Sequence, residues 1–428
     1  MRPIFLLLAT ALTVASALPA IAAAAEEQTL GGNVESLLGF ARERHPEFAA
    51  MRHEADAAAA RVLPAGALPD PMFGVELRDF TNETGVNSGG SANVLPARVG
   101  VTRYTINQSL PWFGKRDLKR DIAAAGAGEA QGRAEATWAE LAWQIKQTYA
   151  LHHVHAISIR YRHENLALLD QLVQIAQARY ASGLVPQQDV IRAQTERTSL
   201  QGELVMLEGE NDQAAARMRT LLGRPTAVRL LPPERLRPLP PPAKLEIGAL
   251  ETRIVERNPR LAADAARIEG AEKSRELTYK NRYPDFNVGL ASMQERNRVA
   301  SWDLMFEVNI PLQQESRRAQ EHEAERMLDA AKARKESTLN QTLAELAESL
   351  AALRSARRVE DLVQTSLLPQ TELTLQAALA GYETGKVDFA TVLDAQRQIR
   401  KAKEDLLRAR ANQQMRLADI ERVIGEEL

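Results

Sequence analysis

The chain contains no cysteine among its 428 residues. That absence excludes disulfides, zinc-thiolate and iron–sulfur sites, a cysteine nucleophile and an acylated N-terminal cysteine. It also lacks an excess of either charge: 54 Lys and Arg stand against 56 Asp and Glu, a formal net charge of −2, so no nucleic acid is held by bulk charge. Aromatic residues are scarce at 5%, whereas apolar residues reach 45% and charged residues 26%. With Ala and Leu supplying much of the apolar share, this composition favours long helices over a large sheet. No Gly-x-Ser-x-Gly, His-Glu-x-x-His or phosphate-loop pattern occurs, so the sequence offers no catalytic machinery and no cofactor site. Beyond the first 25 residues no apolar run approaches the ~20 residues of a transmembrane helix.

What is present begins at the N-terminus. Arg2 precedes an apolar run over residues 4–15, followed by Pro19, four alanines at 22–25 and the acidic pair Glu26 and Glu27. A basic start, an apolar stretch and small residues before a polar junction describe a cleaved secretory signal, residues 1–25. The mature protein is expected outside the cytoplasm.

The dominant feature is internal duplication. Arg44-His45-Pro46-Glu47 and Arg257-Asn258-Pro259-Arg260 each precede an Ala-rich helical pattern, and Pro46 and Pro259 lie 213 positions apart. Phe73, Val75 and Leu77 find Phe286, Val288 and Leu290 at the same offset. Further on, Tyr180, Gly183, Val185, Val190, Ala193 and Gln194 match Tyr382, Gly385, Val387, Val392, Ala395 and Gln396 at an offset of 202. Residues 26–224 form the first repeat and 245–428 the second. Between them, 225–244 carries prolines at 225, 232, 233, 238, 240, 241 and 242, a density that reads as an extended linker.

Each repeat is read as one short helix, two strands and two long helices. In the last strand Trp302, Leu304, Phe306, Val308 and Ile310 alternate with Ser301, Asp303, Met305, Glu307 and Asn309, which places an apolar set on one face and a polar set on the other. The loop 81–97 in the first repeat is rich in Asn, Gly and Ser, the composition of an exposed connection. No proline falls between Pro111 and Pro186; a helix over 115–181 extends on the order of 100 Å. The second repeat runs similarly over 315–382, with a kink or break expected at Pro369. Gly126, Gly128 and Gly132 weaken the first long helix or permit close backbone approach.

Four amphipathic strands of about ten residues match the span of an outer membrane, but lipid cannot satisfy an open sheet edge. Closed barrels begin at about eight strands. The chain therefore requires partners of its own kind: two copies supply eight strands and three supply twelve. The alternative is a soluble pair of hairpins packed on helices.

The signal segment, the strand–strand–helix–helix duplication and the two hairpin motifs together resemble the TolC family of outer-membrane efflux channels. Those motifs are Tyr180-Ala181-Ser182-Gly183 running to Asp189-Val190, and Tyr382-Glu383-Thr384-Gly385 running to Thr391-Val392-Leu393-Asp394-Ala395. The resemblance covers essentially the whole mature chain. It implies a homotrimer with a twelve-stranded β-barrel in outer membrane lipid, continued by an α-helical barrel across the periplasm. It further implies a periplasmic adaptor (membrane fusion protein) and an inner-membrane RND pump as partners. Leu110-Pro111-Trp112-Phe113-Gly114-Lys115-Arg116 resembles a stretch of the heavy-metal branch, the CzcC and CusC type. The expected function is a passive exit duct for heavy-metal cations. A TolC-like duct for drugs or type I protein secretion, and a periplasmic coiled-coil adaptor, are the alternatives.

A conduit needs a constriction rather than a catalytic group, and the resemblance places it at the hairpin tips. Thr391 and Asp394 fall where acidic residues narrow the periplasmic entrance in that family, and Asp189 occupies the equivalent hairpin of the first repeat. Threefold repetition would make a ring that attracts cations; the alternative is that both aspartates decorate a first helical turn. Tyr180 and Tyr382 either bond across hairpins in a closed state or pack at the hairpin neck. Gly183, Val185, Gly385 and Val387 are assigned to the tip turns, where an adaptor docks. Trp112 and Phe113 fit a membrane-interface girdle, with barrel–helix packing as the alternative. His152 and His155 share a helical face, but His163 is about 16 Å further along the axis; no metal site is assigned, and a weak transit role for these histidines is the most they support.

Overall fold

The computed structural model describes residues 30–78, 100–223, 230–295 and 298–428. The signal segment 1–25 and the loop 81–97 lie outside the described residues. The first repeat comprises α1 (Val34–Arg44), α2 (Pro46–Ala60), the single turn α3 (Val62–Ala65), β1 (Met72–Arg78), β2 (Val101–Leu110), α4 (Lys115–Ala181) and α5 (Gln187–Leu221). The second comprises α6 (Ile247–Arg257), α7 (Pro259–Lys280), β3 (Asp285–Glu295), β4 (Arg298–Asn309), α8 (Gln314–Leu362), α9 (Leu368–Glu383) and α10 (Phe389–Ile424). A π-helical turn, Val363–Leu367, joins α8 to α9.

Each repeat opens with two helices where the sequence reading expects one. Proline at N1 of α2 and α7 drives the preceding residue out of the helical region: His45 has ψ 122° and Asn258 ψ 121°. Asn258 also caps α7, its side chain accepting from the Leu261 N–H at 3.0 Å. The same prolines make the joint that closes each repeat. Gly223 after α5 and Gly425 after α10 have φ +70° and +88°, and a Cβ on them would stand 2.7 Å from Pro46 Cδ and 2.5 Å from Pro259 Cδ.

Burial repeats as well. Leu37, Ala41, Phe48, Ile145, Tyr149, Met218 and Leu222 belong to one core; Leu250, Ile254, Leu261, Leu346, Leu350, Ile420 and Ile424 form its counterpart. Residues 231–241 of the linker carry neither helix nor strand and are packed: Leu30 and Leu230 form a parallel bridge, the Tyr149 hydroxyl stands 3.0 Å from the Gly32 and Arg235 carbonyls, and Gln414 donates to the Arg237 carbonyl at 2.6 Å. In α4, Gly132 lies against Ala263 of α7, where a Cβ would come within 2.8 Å. Close approach, rather than local weakening, is what that glycine provides.

The four strands make one antiparallel sheet in the order β1-β2-β3-β4. Phe73, Ile106, Leu290 and Leu304 stand in one register row, and Gly74, Thr105, Ala291 and Asp303 in the next. One face is thus apolar and open to the outside: Trp302, Leu304 and Phe306 are 66%, 79% and 65% exposed. On the opposite face Arg103 lies 3.8 Å from Glu76 and 3.9 Å from Asp303. Ile310, read as the end of the last strand, falls just beyond β4 because Pro311 cannot donate to the ladder.

Candidate functional site

The two hairpin tips are built alike. α4 ends at Ala181 and the chain turns through Gly183, φ +68°, into α5; α9 ends at Glu383 and turns through Gly385, φ +70°. In both, the glycine N–H bonds the carbonyl three residues back, from Gly183 to Tyr180 and from Gly385 to Tyr382. Left-handed backbone at these positions explains the shared glycines. Val185 and Val387 are partly buried and pack onto the tip core of Leu169, Leu172, Leu200, Phe389 and Val392.

The side chains around the turns differ. Tyr382 is 3% exposed and packs on Phe389, whereas Tyr180 is 46% exposed. Arg179 of α4 crosses to the second hairpin: its guanidinium lies 4.8 Å from the centre of the Tyr382 ring and donates to the carbonyls of Tyr382 (2.7 Å) and Glu383 (3.2 Å). The buried Tyr382 hydroxyl has no hydrogen-bond partner among the described residues. Burial, and then the negative charge of Asp189, push its pKa up.

Asp189 and Asp394 part company. Asp189 is buried in the first turn of α5, and burial raises its pKa, with Asp388 adding repulsion and Arg192 partly opposing it. Asp394 is exposed, with a 3.9 Å contact to Arg397 one turn on. Thr391 is the partner of an N-cap: Asp388 accepts from its N–H at 3.0 Å and its hydroxyl at 2.6 Å. Below the turns, Glu196 of α5 takes the fork of Arg397 from α10, with Arg400 3.9 Å away. A groove of about 740 Å³ opens between α5 and α10, lined by Arg192, Glu196, Asp394 and Arg397 among others.

Arg179, Glu196, Asp388 and Arg397 escape a search for matching motifs because they stand where the repeats disagree. At the offset of 202, Arg179 faces Gly381, Arg397 faces Thr195, and Arg192 faces Asp394 with its charge reversed. Departures from the duplication carry the signal that agreement does not.

The other sequence-marked residues sit at the strand–helix junction. Trp112 stacks on Tyr283 at 5.1 Å and touches Phe286; its backbone N–H donates to the Asp285 carboxylate at 2.8 Å. Lys115, 4% exposed, donates to the same carboxylate at 2.8 Å and to the Tyr283 carbonyl at 3.0 Å. Gly114, φ +77°, turns strand into helix. The motif therefore bolts the first repeat to the second, and only Phe113, 81% exposed, is free to face outward.

The histidines do not converge. His153 Nδ1 meets the Pro233 carbonyl at 3.1 Å and His155 Nδ1 lies 3.6 Å from Glu210. His152 is buried, which drops its pKa to about 4, with nearby His155 and Arg219 contributing. Among the described residues no group of three or more His, Asp or Glu is arranged to hold a metal ion, and no helix is long and apolar enough to cross a membrane.

Against known proteins, the model of the outer membrane efflux protein family matches residues 37–224 and 252–426, one match per repeat. The chain is 23% identical over 405 residues to the cobalt-zinc-cadmium resistance protein CzcC of Cupriavidus metallidurans, covering 92% of this chain and 90% of that one. It is similar to the solved structure of CusC with TM-score 0.78 and 16% identity, over 93% of each chain. It is likewise similar to VceC of Vibrio cholerae, with TM-score 0.77 and 16% identity, over 92% and 96%.

Proposed function

Because the chain belongs to the outer membrane efflux protein family, as an outer-membrane channel with a β-barrel and a periplasmic helical barrel, we propose that it is the passive exit duct of a tripartite metal-cation exporter. In this reading three copies join their sheets through the free edges of β1 and β4 into twelve strands. The helical tips meet a periplasmic adaptor, and an inner-membrane RND pump supplies the energy. The observation that carries the duct is the four-stranded sheet, open at both edges, with one apolar face exposed and one charged face. Closure removes the edges and turns the apolar face to lipid. Similarity to CzcC over nearly the whole chain supports metal cations as the cargo, and the Pro111-to-Lys115 motif agrees with it. The paired strand hairpins in each repeat argue against the periplasmic adaptor reading.

The constriction is assigned to the tips. Arg179, held on two carbonyls and the face of Tyr382, ties the second hairpin to the first, and Asp189 sits beside the same tyrosine. We assign Asp394 and Thr391 to the rim of the entrance, Asp394 as an exposed charge and Thr391 as half of the Asp388 cap. The test is the growth of a deletion strain on cobalt, zinc, cadmium, copper and silver salts beside lipophilic drugs, with complementation. Selective metal sensitivity is expected; sensitivity to drugs alone replaces the cargo with drugs and leaves the duct intact.

A further inference from the structure

The linker over residues 231–241 has a threefold rhythm of burial. Leu231, Pro232, Arg237, Leu239, Pro240 and Pro241 each precede a proline, which holds them near the polyproline II region, and Pro241 has φ −61° and ψ 150°. That helix has three residues per turn and about 3.1 Å of rise per residue, so residues three apart share an edge. Pro233, Leu236 and Leu239 make the edge laid on the protein. Pro233 is buried and the two leucines are half-buried, Leu236 against the core of Leu37 and Ile145. Pro232, Arg235, Pro238 and Pro241 make the edge that faces away, and all four are exposed.

The strap is held in this posture from below. The Pro233 carbonyl meets His153 Nδ1 at 3.1 Å, and the Arg235 carbonyl accepts from Tyr149 at 3.0 Å. The Arg237 carbonyl accepts from Gln414 at 2.6 Å and the Pro240 carbonyl from Arg357 at 3.3 Å. Helices α4, α8 and α10 thus each fix part of it. Its two arginines divide: Arg237 turns inward to Glu421 at 2.8 Å, whereas the exposed Arg235 has no ion-pair partner among the described residues. A preformed polyproline edge loses little conformational freedom on binding. Prolyl rings pack on aromatic side chains, and a free guanidinium selects a carboxylate.

We propose that Pro232, Arg235, Pro238 and Pro241 form a docking edge for a periplasmic protein whose groove is lined by aromatic side chains and carries a carboxylate for Arg235. The row from Arg235 to Pro241 is about 19 Å long. It lies roughly 50 Å from the hairpin tips, measured along α4 from Tyr149 to Ala181, and so is separate from the tip turns. The proposal holds whatever the cargo of the duct.

Because the chain has no native cysteine, one reporter thiol suffices, and Glu234→Cys stands beside the edge without belonging to it. In the purified full-length channel this thiol should react with a maleimide as an exposed one does; protection there means that another copy covers the strap, and overturns the proposal. In intact cells it should react at least about fivefold more slowly, the protection expected of a site mostly occupied. Arg235→Glu, and Pro238→Ala together with Pro241→Ala, should each restore the rate of the purified channel. Equal rates in the two settings, or protection that survives both variants, overturn the docking edge. All these side chains are exposed, so the variants should melt with the native channel. The photo-cross-linker p-benzoylphenylalanine in place of Glu234 then reports what lies opposite in the otherwise native chain. Cross-links into an aromatic groove bearing Asp or Glu support the proposal, and cross-links to any other surface overturn it.

Discussion

The two repeats agree at their closed end and diverge at their tips. At the closed end, Gly223 and Gly425 press on Pro46 and Pro259 in the same left-handed conformation, and core residues correspond almost one for one. At the tips Asp189 is replaced by Thr391, Arg192 by Asp394 and Arg179 by Gly381. The difference teaches where duplication is constrained. Joints that bury backbone and apolar surface tolerate one solution, whereas exposed hairpins that must contact each other, rather than copies of themselves, gain from being unlike.

The strongest way to break that comparison is at the joints. Gly223→Val and Gly425→Val each force a β-branched side chain into positive φ and onto a proline ring, and each should cost about 3 kcal/mol. Thermal unfolding in detergent should show comparable falls for the two; a fall for only one would mean that the joints are not equivalent. A feature confined to the second repeat's closing helix comes next. Glu421, 4% exposed, is neutralised by Lys146 and Arg237, both at 2.8 Å, and its counterpart in the first repeat is Arg219. Lys146→Met should cost about 2 kcal/mol, less than a fully orphaned charge because Arg237 remains; denaturant unfolding reads it.

At the tips, Arg179→Ala removes two charge-assisted bonds and a cation–π contact, about 1–2 kcal/mol per protomer. The expected outcome is a larger single-channel conductance in planar bilayers, with melting temperature nearly unchanged. Writing Gly381→Arg into the second repeat should not restore it, because the new side chain has no Tyr382 opposite.

Two smaller effects follow pH, and they have opposite signs. Asp189 has a raised pKa, so burying its charged form is unfavourable; the cost is present above that pKa and relieved as pH falls through it. The tip should therefore tighten on acidification through the carboxylate range, lowering conductance by no more than about twofold, and Asp189→Asn should remove the response. His152 runs the other way. Its folded pKa of about 4 lies below the ordinary 6.5, so its contribution is complete above 6.5 and is lost as pH falls toward 4. His152→Leu, which copies Leu353 of the second repeat, should reduce the fall in melting temperature between pH 7 and 5.

The duplication, the strand faces and the long helices were legible because each is a period written in the chain: 2 for strands, 3.6 for helices, about 200 for the repeats. Tyr180 and Tyr382 look identical in sequence, yet one is exposed and one buried, because Arg179 and Phe389 surround only the second. Asp394 carries the family motif but stands in solvent, while Asp388, between the Gly385 turn and Thr391, caps the helix. Burial is a property of neighbours from other elements, and a motif does not encode it.

By itself, then, the sequence determined the class of molecule: an exported, duplicated, largely helical chain whose four strands cannot close alone. That much follows from periodicity and the demand that strand edges be paired. Tertiary structure decided which of two equivalent residues is buried and which is exposed. It turned the Pro111-to-Lys115 motif into a bolt on Asp285 and placed Arg179 on the opposite hairpin. These outcomes depend on side chains more than a hundred positions apart meeting within a few ångströms, and only the packed fold brings them together.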